Sequence, residues 1–212
     1  SGPNPMRPYV ETAVVGIQGL LENTTVQLRS EDTLNLFETI GLLLGKTGLE
    51  PQEQQKYLTQ VITPHIRSIE QVLERKEAIY QDPETYGEIL SSSLAAIAFL
   101  SKGFKRPSEL VQQVLVETLQ FAINVLETLP TIEAVRNKSL ILIQRLIQCL
   151  DDKVLPVMPR LLQLVILHCT QEDILDVAQL CNQLCIKFRE KSIPALDAAL
   201  VPFLQKCHAL AS

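Results

Sequence analysis

The chain has 212 residues, enough for one or two domains with a sizeable core, and its interior must be aliphatic, since it has no Trp and few aromatics. Sparse glycine and a lack of strand–turn–strand punctuation exclude a sheet protein, and point to an all-α fold of packed helices. A net charge of −5 excludes a basic nucleic-acid module taken as a whole.

Residues 1–6, Ser-Gly-Pro-Asn-Pro-Met, have no secretory pattern and are expected to be a linker or a scar. Nine helices then follow in the apolar spacing of three and four. The first covers about Pro8 to Glu22, with Val10, Ala13, Val14, Ile17, Leu20 and Leu21 on one face. The second opens at Ser30, a good cap with acids behind it, and ends near Gly45. Lys46-Thr47-Gly48 reads as the turn that closes it. The third opens at Pro51, a favoured first-turn proline, and runs to about Arg75. Lys76 to Tyr86 reads as a polar insert. The fourth helix is capped by Asp82 and runs to Gly103. The fifth is opened by Pro107-Ser108-Glu109 and ends near Leu129. The sixth runs from Pro130-Thr131 to Leu150, and the seventh holds Val154 to Cys169. Thr170 to Asp173 caps the eighth, which ends near Arg189, and the ninth spans about Pro194 to Ala211. The short connections imply antiparallel neighbours. The long uncharged stretches, Ile89 to Ser101 and Leu161 to Gln171, are too short to cross a membrane.

Prolines recur where helix interiors should run. "QVITPHI", "VLPVMPRL" and "AALVPFL" align on Pro64, Pro159 and Pro202, and "QVLVETL" puts Glu117 in the same column. The intervals are 53, 42 and 43 residues, near the period of two-helix HEAT-type repeats. The expected organisation is an α-solenoid over 7–212, with an unpaired helix at 8–22 and units at 31–75, 83–129, 131–169 and 171–211. The repeated proline is expected to bend the second helix of a unit, and at Pro64 to bend that helix or break it into two pieces. At Pro64 it must deprive the Gln60 carbonyl of its usual donor, with Thr63 placed to compensate. Pro156 lies near a helix start, where backbone donors are unpaired anyway. Neither end reads as the polar cap of a solenoid, so a longer protein is expected.

Chemistry-bearing patterns are few. Cys181-x-x-x-Cys185, with His168 and Cys169 near in sequence, suggests zinc on spacing alone. The same cysteines also fall on an apolar stripe with Ile174, Val177, Leu184 and Phe188, and no metal is expected. Five cysteines within helical patterns read as reduced thiols of an intracellular protein. His65, His168 and His208 are scattered, and no triad spacing is present. Gly41, Gly45 and Gly48 do not make a phosphate loop, and Asp151-Asp152 reads as a solvated turn. The expected protein is no enzyme and needs no cofactor. Cations gather at helix C-termini, where the helix dipole favours them: Lys102, Lys105 and Arg106 at one turn, Lys187, Arg189 and Lys191 at another. Lys56 and Arg67 lie on the polar side of the third helix, and Arg160 follows the repeated proline. Candidate RNA-contacting residues are therefore Lys56, Arg67, Lys102, Lys105, Arg106 and Arg160.

The ordered set of "SEDTLNLFETIGLLLG", "VITPHI", "FLSKGF", "CLDDKVLPVMP" and "VPFLQ" resembles the exportin-T family of the importin-β (karyopherin) superfamily. The resemblance implies a middle-to-C-terminal piece of a HEAT solenoid, non-catalytic and monomeric. It also implies shuttling between nucleus and cytoplasm, with tRNA and Ran-GTP as partners of the whole receptor, passage past nuclear pore proteins, and no membrane. Such a receptor reads the shape and backbone of folded RNA. A HEAT scaffold that binds proteins along its concave face is the alternative from the repeat pattern alone.

Overall fold

A computed structural model describes residues 4–212, so Ser1 to Pro3 of the expected leading linker lie outside it. Asn4 is already docked, its amide donating to the Lys46 carbonyl at 3.3 Å. The described residues are helical, without strands. A 3-10 turn at Arg7–Tyr9 leads into α1 (Val10–Glu22), followed by α2 (Ser30–Lys46), α3 (Pro51–Leu73), α4 (Lys76–Gln81) and α5 (Pro83–Ser101). Then come α6 (Glu109–Thr128), α7 (Glu133–Cys149), α8 (Met158–His168), α9 (Ile174–Phe188) and α10 (Ile193–Ala211). All nine expected helices are present, and α4 is an addition.

The start signals act as elementary capping predicts. Asp82 accepts from the Thr85 N–H at 3.2 Å, and Ser108 from Val111 at 3.4 Å. Glu50 and Glu53 close a capping box ahead of Pro51. Ser30 is not the cap: Arg29 holds that place with extended backbone, and its guanidinium pairs with Asp32 at 2.8 Å. Gly48 closes the α2–α3 turn at φ 74°, a conformation that suits glycine.

The helices stack in two layers. One consists of α2, α5, α7 and α9, each against the next, and the other of α3, α6, α8 and α10. α3 also packs on α5 and α6 on α7, which ties the two layers together. This is an α-solenoid of HEAT-type helix pairs. α1 packs on α2. Ile40, Leu58, Leu94, Leu100, Leu115 and Ile123 are among the fully buried side chains between the layers. Each contributes on the order of 1.5–3 kcal/mol by leaving water.

α2 and α5 approach backbone to backbone. A Cβ on Gly41 would lie 2.1 Å from the Leu100 carbonyl oxygen, and one on Gly45 2.1 Å from that of Gly103. The order of these contacts shows the two helices running in the same direction, as alternate helices of a solenoid must.

Three expectations need correction. Lys76 to Tyr86 is not simply a polar insert: it forms α4, whose Ile79 is fully buried. One apolar side chain at the right register anchors a segment that composition made look solvated. The seventh helix does not run through its prolines. A 3-10 segment, Asp152–Val157, contains Pro156, and α8 begins at Met158 with Pro159 in its first turn. Pro159 therefore starts a helix, where a missing N–H costs nothing, while Pro64 and Pro202 lie inside theirs. The column is thus real in sequence but not equivalent in structure. Lastly, α3 continues unbroken past Pro64, and the Thr63 hydroxyl donates to the Thr59 carbonyl at 2.6 Å rather than to Gln60.

Arg189, just after α9, has φ 48° and ψ −124°, a region that only glycine occupies without strain. Arg189→Gly is expected to raise thermal stability by about 1 kcal/mol. A lowered melting temperature would show that the Arg189 side chain contributes more than its backbone costs.

Candidate nucleic-acid interface

Lys56 is exposed early in α3, 5.5 Å from the Tyr57 ring centroid, and Arg67 is exposed three turns further along the same helix. Neither has a carboxylate within ion-pair distance among the described residues, and the same holds for exposed Lys105 and Arg106 in the α5–α6 turn. Lys102 and Arg160 are placed differently. Lys102 Nζ sits 3.0 Å from Glu38 Oε2 on α2 and 3.7 Å from the Phe99 ring centroid. Arg160 donates to Asn124 Oδ1 at 3.1 Å and pairs with Glu127, both on α6. These two cations tie neighbouring helices together. The structure does not gather all six candidates: Lys102, Lys105 and Arg106 share the α5–α6 turn, and the others are spread over α3 and α8.

Sequence reasoning missed Lys46. It is exposed at the end of α2 and, with Gln54, Lys105 and Arg106, lines a cleft of about 430 Å³ floored by Gly103, Phe104 and Pro107. The missing signal was the glycine contact between α2 and α5, which brings two turns 56 to 60 residues apart into one cleft.

The lysines of the following turns are paired, while Arg189 is exposed with no carboxylate within ion-pair distance among the described residues. Lys153 pairs with Glu109 at 2.6 Å, Lys187 approaches Asp151 at 3.9 Å, and Lys191 pairs with Asp152. Lys187 Nζ also donates to the Gln148 carbonyl at 3.0 Å. Asp151-Asp152 is thus the counter-charge of the next turn.

His65 and Cys149 are built into the helix packing. His65 packs edge-on against Phe37, ring centroids 4.9 Å apart, and burial holds its pKa down at about 4. The folded chain therefore binds a proton at His65 less readily than the unfolded chain. This stabilisation is complete above the ordinary histidine pKa and is lost as pH falls from about 6.5 towards 4. His65→Leu is expected to flatten the fall in stability over that window, as read by urea unfolding at a series of pH values. An unchanged profile would assign the acid sensitivity elsewhere.

Cys149 is buried, donates to the Ser101 carbonyl at 3.4 Å, and has its pKa pushed up to about 11 by that burial. Cys181 is half-buried, while Cys185 is exposed and so leaves the apolar stripe expected for it. Among the described residues no group of three or more His, Cys, Asp or Glu side chains is placed to hold a metal ion. No helix among them is long and apolar enough to cross a membrane.

The sequence profile of the exportin-T family matches residues 22–212. The exportin-T of Mus musculus is 27% identical over 94% of this chain, and that of Oryza sativa subsp. japonica 26% over 90%. The exportin-T of Arabidopsis thaliana is 27% identical over 85%. The chain spans about a fifth of the length of these relatives, 22%, 21% and 20% in turn.

Proposed function

Since the chain belongs to the exportin-T family, we propose that it is a non-catalytic solenoid segment of a nuclear export receptor that carries tRNA together with Ran in its GTP form. The match over residues 22–212 is the observation that carries this reading. The segment supplies length and curvature, and this reading divides it into units at 31–75, 83–129, 131–169 and 171–211 after an unpaired helix at 8–22. The intact receptor shuttles between nucleus and cytoplasm past nuclear pore proteins. RNA contact within this segment rests with the cations that no acid neutralises, so Lys56, Arg67, Lys105 and Arg106 lead the six candidates.

With its net charge of −5, the 212-residue chain alone binds tRNA more weakly than about 1 μM, with steep salt dependence. The test is export of labelled tRNA from nuclei of permeabilised cells supplied with the intact protein and Ran. Export that requires both supports the reading, and retention of tRNA in their presence refutes it. A second reading, a protein-binding scaffold, has one observation in its favour. This is an apolar groove of about 650 Å³ between α8 and α10, lined by Pro159, Leu162, Ala198, Ala199 and Pro202. That reading predicts no tRNA in the assembled complex.

A further inference from the structure

The turns that join the first and second helix of each pair form one rim of the solenoid, and each junction along it carries cations. At the two later junctions the lysines are paired across turns, and Arg189 alone is exposed without a carboxylate within 4.0 Å among the described residues. Lys153 holds Glu109 at 2.6 Å, and Lys191 and Lys187 face Asp152 and Asp151. At the junction of the α2–α3 and α5–α6 turns they are left open. Lys46, Lys105 and Arg106 are exposed around the cleft of about 430 Å³, and none has a carboxylate within 4.0 Å among the described residues. The acids nearest the two turns are committed to other cations. Glu50 and Glu53 are paired with Arg7, Glu38 with Lys102, and Glu109 with Lys153. A chain of net charge −5 thus keeps three unpaired cations converging on one cleft, while the lysines of the later junctions are paired and Arg189 stands there alone.

We propose that this cleft is a phosphate-contact site, in which Lys46, Lys105 and Arg106 grip the sugar–phosphate backbone of a folded RNA. The inference rests on the tRNA-carrier reading and places one point of contact within it. The cleft's ionised side chains are all donors, and one N–H of the Gln54 amide donates to the Leu44 carbonyl at 3.0 Å. A phosphodiester presents only acceptors and suits such a lining. A peptide would bring N–H donors of its own, for which these cationic side chains provide no acceptor. Arg106 supplies a planar fork suited to two phosphate oxygens, and the two lysines supply point charges on either side.

The test measures binding of labelled tRNA, and separately of polyglutamate, by the intact protein with Ran-GTP. It compares the natural sequence, the triple variant Lys46→Ala/Lys105→Ala/Arg106→Ala, and the charge-keeping variant Lys46→Arg/Lys105→Arg/Arg106→Lys. All three positions are exposed, so folding is expected to survive. The triple variant should bind tRNA about tenfold more weakly, with the slope of log affinity against log salt reduced by roughly two. The charge-keeping variant should keep the salt slope of the natural sequence and lose at most about threefold in affinity with the Arg106 fork, and Lys153→Ala/Lys191→Ala should change affinity by less than about twofold. Unchanged tRNA binding by the triple variant overturns the site and leaves the carrier reading standing. Loss of polyglutamate binding alone also overturns it, in favour of an acidic peptide. Absence of tRNA binding by the natural sequence refutes the carrier reading, and the site with it.

Discussion

Arg136→Ala is expected to lower the stability of the folded chain by about 3–5 kcal/mol, the cost of leaving one member of a buried ion pair without the other. Arg136 on α7 and Asp173 ahead of α9 are only 8% and 7% exposed, and Arg136 Nε lies 2.9 Å from Asp173 Oδ2. Arg136 Nη1 also donates to the Pro130 carbonyl at 3.2 Å, so one side chain fixes the turns on both sides of the α7–α8 pair. Asp173 further accepts from the Thr170 N–H at 2.9 Å and the Thr170 hydroxyl at 2.8 Å. Burial opposes ionisation of Asp173, but the Thr170 hydrogen bonds and the Arg136 charge outweigh it and lower its pKa. Its contribution is therefore present above the ordinary carboxylate pKa and is lost as pH falls through the lowered one. The double variant Arg136→Met/Asp173→Asn keeps an acceptor for Thr170 and removes both charges, so it should cost less than Arg136→Ala alone. Urea unfolding followed by circular dichroism reads both. A single variant within about 0.5 kcal/mol of the natural sequence would deny the pair its role.

Gly103→Ala should cost about 3 kcal/mol, the upper end of what overpacking a close contact costs. A Cβ there would lie 1.9 Å from the Gly41 carbonyl oxygen and 2.7 Å from the Leu42 nitrogen, so backbone rather than a flexible side chain would have to move. The α2–α5 spacing would open, and with it the cleft that holds Lys46, Lys105 and Arg106 together. Gly16→Ala and Gly19→Ala on α1 are the controls. A methyl group at either position would meet nothing within 4 Å, and each variant should gain about 0.5–1 kcal/mol from helix propensity. Thermal melts of the three variants decide it: a neutral Gly103→Ala would mean that α2 and α5 are not in backbone contact.

The helices were legible because their signals are local. Apolar spacing, Pro51, Asp82, Ser108 and Gly48 each act within one turn of their own residue. What stayed hidden depends on partners far along the chain. Gly41 and Gly45 could be set aside as a phosphate loop, but their use, a seat for Leu100 and Gly103, needs the second helix in place. Pro159 matched Pro64 in its flanking residues, yet a 3-10 segment ahead of it changes its position in the helix. The candidate site divides in the same way. That Lys102 and Arg160 are cationic is in the sequence, but that Glu38 and Glu127 neutralise them is not, since those partners are 64 and 33 residues away. Lys46 reads in the sequence only as part of the turn that closes α2, and the fold sets it beside Lys105 and Arg106.

The central claim is that this chain is part of a receptor whose hold on tRNA is coupled to Ran-GTP. The most direct measurement is the equilibrium affinity of the intact protein for labelled tRNA at fixed salt, with Ran loaded with GTP, with Ran loaded with GDP, and without Ran. Coupling of binding sites is reciprocal, so Ran-GTP should tighten tRNA binding by the same factor as tRNA tightens Ran-GTP binding, at least about fivefold. Equal tRNA affinity under all three conditions, or none under any, would contradict the account.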